Sequence, residues 1–425
     1  MIKEHIVIVG TGVAGLTAAH LLKNKYQLTL IEKNNYIGGH TNTILVKDKQ
    51  KEIAVDTGFI VMNHRNYPLF SELLRDLGVE LQDSNMSFGH YDRNSNLFYN
   101  TDNLKGLFAQ KKNIINPKFY WLLFEIVRFF KKANSDLLKE DKLEHFRHMT
   151  LGEYLKKYRF SQNFIDNYLV PMGSAIWSTP TDQMLDFPLL SFLRFYKNHG
   201  LLSISDHPQW RTVAGGSHTY VKRIIELFNG DVVSGDGTKL IRRHDNYVNI
   251  TLNSGRVIKA DKVIIATHAD EALCLLDDPS EEEKALLGKW SYSINQTFLH
   301  TDTSILPPSK DGWASWNFCR SIKSNSSEGL TLTYNMNKLQ NLNTSNQYLV
   351  TLNPSEPINP QSIIKRIDYT HPKFNFESIN TQKNLHLISG INRTYFCGSY
   401  HGNGFHEDAV RSSIDICKKL GVFFP

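Results

Sequence analysis

Residues 6–9, IVIV, form a short continuous run of apolar β-branched side chains, which predicts a strand buried on both faces. Glycines at 10, 12 and 15 follow at once, and LTAAHLL (16–22) resumes with helical spacing. QLTLIE (27–32) predicts a second strand ending on an acid, Glu32. Another continuous run, VIIAT, lies at 263–267. The stretch before it alternates apolar and polar residues, with turns at Asp245–Asn246 and Ser254–Gly255, as a small antiparallel sheet would. LTLTYNM (330–336) and QYLVTLNP (347–354) predict further strands, whereas FYWLLFEIVRFF (119–130) is apolar at ten of twelve positions. Near the end, FCGSYHGNGFHEDAVRSS (396–413) crowds glycines, histidines and acids just before a helical run.

The opening strand, glycine turn, helix and acid-terminated strand form one dinucleotide-binding unit. Gly10 allows the turn, Gly12 lets backbone approach a pyrophosphate, and Gly15 lets helix and strand pack closely. A diphosphate rests at the helix N-terminus, over Val13 and Ala14, where free N–H groups and the helix dipole favour an anion. Glu32, about 20 residues on, accepts from a ribose hydroxyl, with Lys33 beside it. A second glycine pair, Gly38–Gly39, then leads into His40, Thr41 and Asn42. A further glycine turn at this place suits the long diphosphate and ribityl chain of FAD better than NAD.

At 425 residues, with 41% hydrophobic and 21% charged, the chain has the composition of a soluble globular protein of two domains or of one with a large insert. No apolar run approaches the ~20 residues that span a bilayer, and the start reads as a strand, not a signal peptide. The four cysteines lack any CxxC spacing, so neither a disulfide framework nor a structural zinc site is expected, and a cytoplasmic setting fits. The net charge of +6 is concentrated between Lys105 and Lys132, where seven basic residues face one acid. That window is either a buried helix with basic solvated ends or a surface patch that meets a hydrophobic substrate or anionic lipid, the latter at the inner membrane surface. Nucleic acid is not expected, because the basic residues do not recur as a stripe.

The stretches IVGTGVAGLTAAHLL, GGHTNT, DTGFIVMNHRNYP (56–68), WRTVAGGSHTYV (210–221), VIIATHADEAL (263–273), WASWNF (313–318) and FCGSYHGNGFHEDA resemble the flavin-containing amine oxidase and phytoene desaturase superfamily. The resemblance is stronger to a bacterial branch of FAD-dependent oxidoreductases associated with cyclopropane-fatty-acid synthase-like methyltransferases. It implies an α/β fold: a Rossmann-like FAD-binding domain of the glutathione-reductase type with an inserted α+β substrate domain. The FAD-binding domain would be discontinuous, formed by 1–66, 208–276 and 386–425. The inserts 67–207, helical and aromatic, and 277–385, rich in strands, would bind substrate. By position, Thr238 would offer backbone to the adenine, Ala266 would pass near the cofactor, and the tail would close over the flavin through Gly398, Ser399, His406, Glu407, Asp408 and Ala409.

The tail's residue types also fit a metal or an acid/base pair. His401 and His406 stand five apart, off the i, i+4 spacing of the zinc-protease helix, and no metal is expected. As catalytic candidates these two histidines are weak, the alternative being a structural or flavin-positioning role. The pattern departs from amine oxidases at His40, where arginine is usual, and at Ser399, where an acid is usual. Lys310 and Lys323 lie in polar contexts unsuited to the family's active-site lysine. The expected function is removal of hydride from a fatty-acyl or other lipid chain. An oxidase of amines, porphyrinogens or polyenes is the alternative, and a non-catalytic flavoprotein partner of a lipid methyltransferase is the second.

Overall fold

The structure, a computed structural model, describes residues 3–320 and 330–424. Its first strand, His5–Val9, lies at the centre of a five-stranded parallel sheet, which is why its apolar side chains are buried on both faces. Lys262–Ile265 and then Thr394–Phe396 follow on one side, and Gln27–Glu32 and Asp231–Ser234 on the other. Registers of Val7 with Val263 and with Thr29 fix the alignment. The helix Val13–Leu22 packs against the C-terminal helix His406–Lys419, where Ser413 Oγ donates to the Ala14 carbonyl at 2.8 Å. Widely separated parts of the sequence thus build one nucleotide-binding layer. The alternating segment forms the expected antiparallel sheet from Thr238–Arg243, Val248–Leu252 and Val257–Ala260.

A seven-stranded sheet draws on both inserts. Its order is Ile363–Pro372, Tyr292–His300, Leu349–Leu352, Leu330–Asn335, Trp316–Arg320, Phe88–Asp92 and Leu97–Asn100. The last two come from the first insert, which the sequence pattern predicts as helical. They join through a parallel pairing of Phe88–Asp92 with Trp316–Arg320. The first insert's helices gather a separate aromatic core that includes Phe119, Phe129, Tyr154, Phe164 and Phe192. Its opening helix, Pro68–Asp76, behaves differently: Phe70, Leu73 and Leu74 share a core with Ile6, Ile8 and Leu28 of the parallel sheet. Among the described residues no helix is long and apolar enough to cross a membrane.

Candidate active site

A cavity of about 1680 Å³ runs from the C-terminal ends of the parallel strands, past the seven-stranded sheet, into the helical insert. The C-terminal edge of an open parallel sheet is where such folds bind ligands. At its nucleotide end lie Gly10, Gly12, Val13, Ala14, Glu32, Lys33 and Thr238. A Cβ on Gly12 would meet nothing within 4 Å, so the helix N-terminus opens onto free space large enough for an anion. Gly15 does not face the cavity. A Cβ there would stand 2.0 Å from the Gly10 carbonyl oxygen, so its role is close packing under the turn. Gly39 closes the cradle from above, since its Cβ position lies 3.0 Å from Gly12 Cα.

Glu32 is buried and held at both oxygens. Thr11 Oγ1 donates to Oε2 at 2.5 Å, while the Asn34 N–H and side-chain amide donate to Oε1, each at 2.9 Å. Lys33 pairs with Glu271 at 2.5 Å across the same end of the cavity. Thr238 Oγ1 is buried, lines the cavity and has no hydrogen-bond partner, as expected of an atom set to meet a bound group. Together with the open Gly12 cradle, these residues fit the adenosine diphosphate half of FAD.

The middle of the cavity is walled by histidines. His40 stacks on Tyr369 at 5.1 Å, meets His371 edge-on at 5.4 Å, and places Nε2 3.1 Å from the Thr370 carbonyl. Burial, with His371 and His268 alongside, holds it well below the usual imidazole range, so it is neutral. His268 stacks on Tyr292 and lies just beyond the strand Lys262–Ile265. The sequence places Ala266 near the cofactor; because sites form past the ends of parallel strands, the same rule extends this wall to His268.

The tail supplies the remaining wall through Gly398, Ser399, His406 and Ala409. His406 stacks on Phe59 at 3.7 Å, and its Nε2 lies 3.1 Å from Thr41 Oγ1 and 3.2 Å from the Tyr220 hydroxyl. Thr41, buried behind the cavity wall, is bound to Tyr220 at 2.5 Å. Burial pushes His406 down to about 3, so its ring is a neutral member of a hydroxyl network.

Three expectations for the tail need correction. His401 does not line the cavity: its ring sits against Tyr400 with Nε2 buried and unpartnered, and burial lowers it to about 4. Glu407 turns away as well. Its carboxylate accepts from the Leu69 and Phe70 N–H groups at 3.3 and 3.0 Å, supplying the N-terminal cap that Pro68–Asp76 lacks on its own chain segment. Asp408 accepts from the Asn403 and Phe405 N–H groups at 3.0 and 3.1 Å and shapes its own loop. The helix start, not its acids, faces the cavity. Among the described residues no group of three or more histidines, cysteines or acids could hold a metal ion.

At the far end Leu123, Ile126, Val127, Phe130, Met172 and Ile176 make an apolar branch. Among the described lining residues there is no arginine, and Lys33 is the one lysine. Lys310 instead stands near the Trp313 ring, and Lys323 lies outside the described residues.

Residues 13–355 match the model of the flavin containing amine oxidoreductases. The chain belongs to that family. It is an enzyme, an oxidoreductase, and its cofactor is FAD. An L-amino-acid oxidase of Siganus canaliculatus is 26% identical over 292 residues, covering 65% of this chain and 52% of the relative. A coproporphyrinogen III oxidase of Bacillus subtilis (strain 168) is 23% identical, covering 65% and 62%. The chain thus spans about half the length of the first of these curated relatives. Among solved structures, a fatty acid isomerase from P. acnes matches with TM-score 0.67 and 13% identity over 99% of each chain. Cyclohexylamine oxidase from Brevibacterium oxydans IH-35A matches with TM-score 0.69 and 14% identity over 99% of this chain and all of the other. These likenesses establish the fold of the flavoenzyme.

Proposed function

We propose that this flavoenzyme takes hydride from a C–H bond of a fatty-acyl chain. The observation that carries the reading is the far branch of the cavity, apolar along its length and without an arginine among the described lining residues. An L-amino acid would bring its carboxylate into that space, and a buried carboxylate without a cation costs several kcal/mol. Lys33, the lysine on the lining, is already committed to Glu271 at the nucleotide end. An acyl chain asks only for apolar walls, and one relative of the same fold is a fatty acid isomerase.

FAD, when bound, supplies the hydride acceptor. The protein's own contribution is placement. Gly12 and Gly39 admit the diphosphate, the helix N-terminus at His406 presents N–H groups to the cavity, and the apolar branch excludes water from the chain. His40, His371 and His406 are neutral there, so the wall can donate hydrogen bonds without adding positive charge.

The test is anaerobic reduction of the FAD-loaded protein. Acyl lipids should bleach the oxidised flavin, while L-amino acids and primary amines leave it yellow. Bleaching by amino acids or amines and not by lipids would overturn the reading in favour of an amine oxidase.

A further inference from the structure

The long helix Pro117–Leu137 belongs to both the cavity and the surface. Leu123, Ile126, Val127 and Phe130 line the apolar branch, and Phe119, Leu122 and Phe129 enter the aromatic core. On the remaining face Tyr120, Trp121 and Phe124 stand 47%, 54% and 54% exposed. Tyr120, Phe124 and Val127 follow at i, i+4 and i+7, so the exposed aromatic stripe runs directly into the cavity wall. Ile114 and Ile115, just before the helix, are exposed too. Leu104 and Ile204 line the cavity while 75% and 71% exposed, so they mark its mouth. Apolar surface gathered around an opening asks for an occupant.

The charges around the patch say which occupant. Of the seven basic residues in this window, Lys105 is paired with Asp311, Arg128 with Glu125 and Lys132 with Asp136. Lys111, Lys112, Lys118 and Lys131 are exposed, with no carboxylate partner among the described residues. Unpaired lysines beside exposed aromatics match an anionic bilayer, with ammonium groups at the phosphates and rings at the acyl boundary. We propose that residues 104–131 dock the enzyme on an anionic phospholipid surface, so that an acyl chain enters the cavity between Leu104 and Ile204 while its head group stays outside. This deepens the acyl-chain reading and rests on it for the identity of the substrate. It also accounts for a cavity that offers a lipid head group no arginine.

The test is flotation of the FAD-loaded protein with phosphatidylcholine vesicles, with and without phosphatidylglycerol. Wild type should float with the anionic vesicles alone. At about 1 kcal/mol per basic residue near an anionic surface, K111Q/K112Q should bind roughly 30-fold more weakly. W121S/F124S should lose flotation while keeping its flavin spectrum. Absent flotation of the wild type, or equal flotation of all three proteins, overturns the proposal. So does a wild-type dimer that becomes a monomer in W121S/F124S, because the patch would then bury a second copy. Flotation without bleaching by lipids would sink the acyl-chain reading alone. Bleaching by a micellar acyl substrate without flotation would sink the docking alone.

Discussion

Asp56 and Gln340, 284 positions apart, exchange two hydrogen bonds inside the protein: Gln340 Nε2 donates to Asp56 Oδ2 at 2.9 Å, and the Asp56 N–H donates to Gln340 Oε1 at 2.9 Å. The same carboxylate accepts from the Ser217 N–H and hydroxyl and from Thr43 Oγ1. It therefore clamps the hairpin Thr43–Asp56 to the helix His218–Glu226 and to the second insert. Asp56→Ala would strand several buried donors at once, at a cost of about 3 kcal/mol or more. Thermal denaturation should show a large fall in Tm, with Asp56→Asn losing less because its carbonyl oxygen still accepts.

Gly12 and Gly15 separate cofactor binding from folding. Gly12 has φ −63° and open space around its Cβ position, and it is the N-cap of its helix, where aspartate is favoured. Gly12→Asp should keep its far-UV circular dichroism but purify colourless, since the new carboxylate occupies the diphosphate's place. Gly15→Ala should fail to give soluble protein, because its methyl would overlap the Gly10 carbonyl.

Glu407 acts on another helix. Glu407→Ala removes the acceptor for Leu69 and Phe70 and should cost about 1–2 kcal/mol, the range for loss of an N-cap. The flavin absorbance per mole of protein should stay close to wild type. A colourless variant would show that the carboxylate serves the cofactor directly.

Stability should fall on acidification. His90, His199, His300, His371 and His401 are lowered by burial to about 4, and His406 to about 3. Between those values and about 6.5 the unfolded chain binds protons that the folded one refuses, so stability drops as pH falls through that window. Asp56 and Asp408, raised to about 6 by burial, oppose this, because folded carboxyls hold protons that unfolded ones release. Six histidines outweigh two aspartates, so Tm should decline from pH 7 to pH 5. A flat profile would show that these rings take up protons without unfolding.

Local pattern carried much of the nucleotide half. The IVIV strand, the three glycines, the acid at 32 and the returning VIIAT strand each announce themselves within a few residues, and the antiparallel sheet between its two turns does so by alternation. What could not be read was pairing at a distance. Phe88–Asp92 is too short and mixed to stand out, and its partner Trp316–Arg320 lies in the other insert. In sequence the acids of the tail suit a cofactor, because residue type does not say which way a carboxylate points; Glu407 finds its donors in Leu69 and Phe70. His401 and His406 are equivalent in sequence, and only packing distinguishes a ring walled in beside Tyr400 from one stacked on Phe59.

The parallel pairing between the two inserts also governs the order in which the chain can fold. The hairpin Phe88–Asn100 leaves the ribosome long before Trp316–Arg320 exists, and its outer ladder stays unmatched through all the intervening synthesis. The parallel sheet has the same delay, since its edge strand Thr394–Phe396 follows its partner Lys262–Ile265 only after the whole second insert. Neither layer can close early. The growing polypeptide therefore carries open strand edges until those later segments are made, a state prone to aggregation and dependent on chaperones.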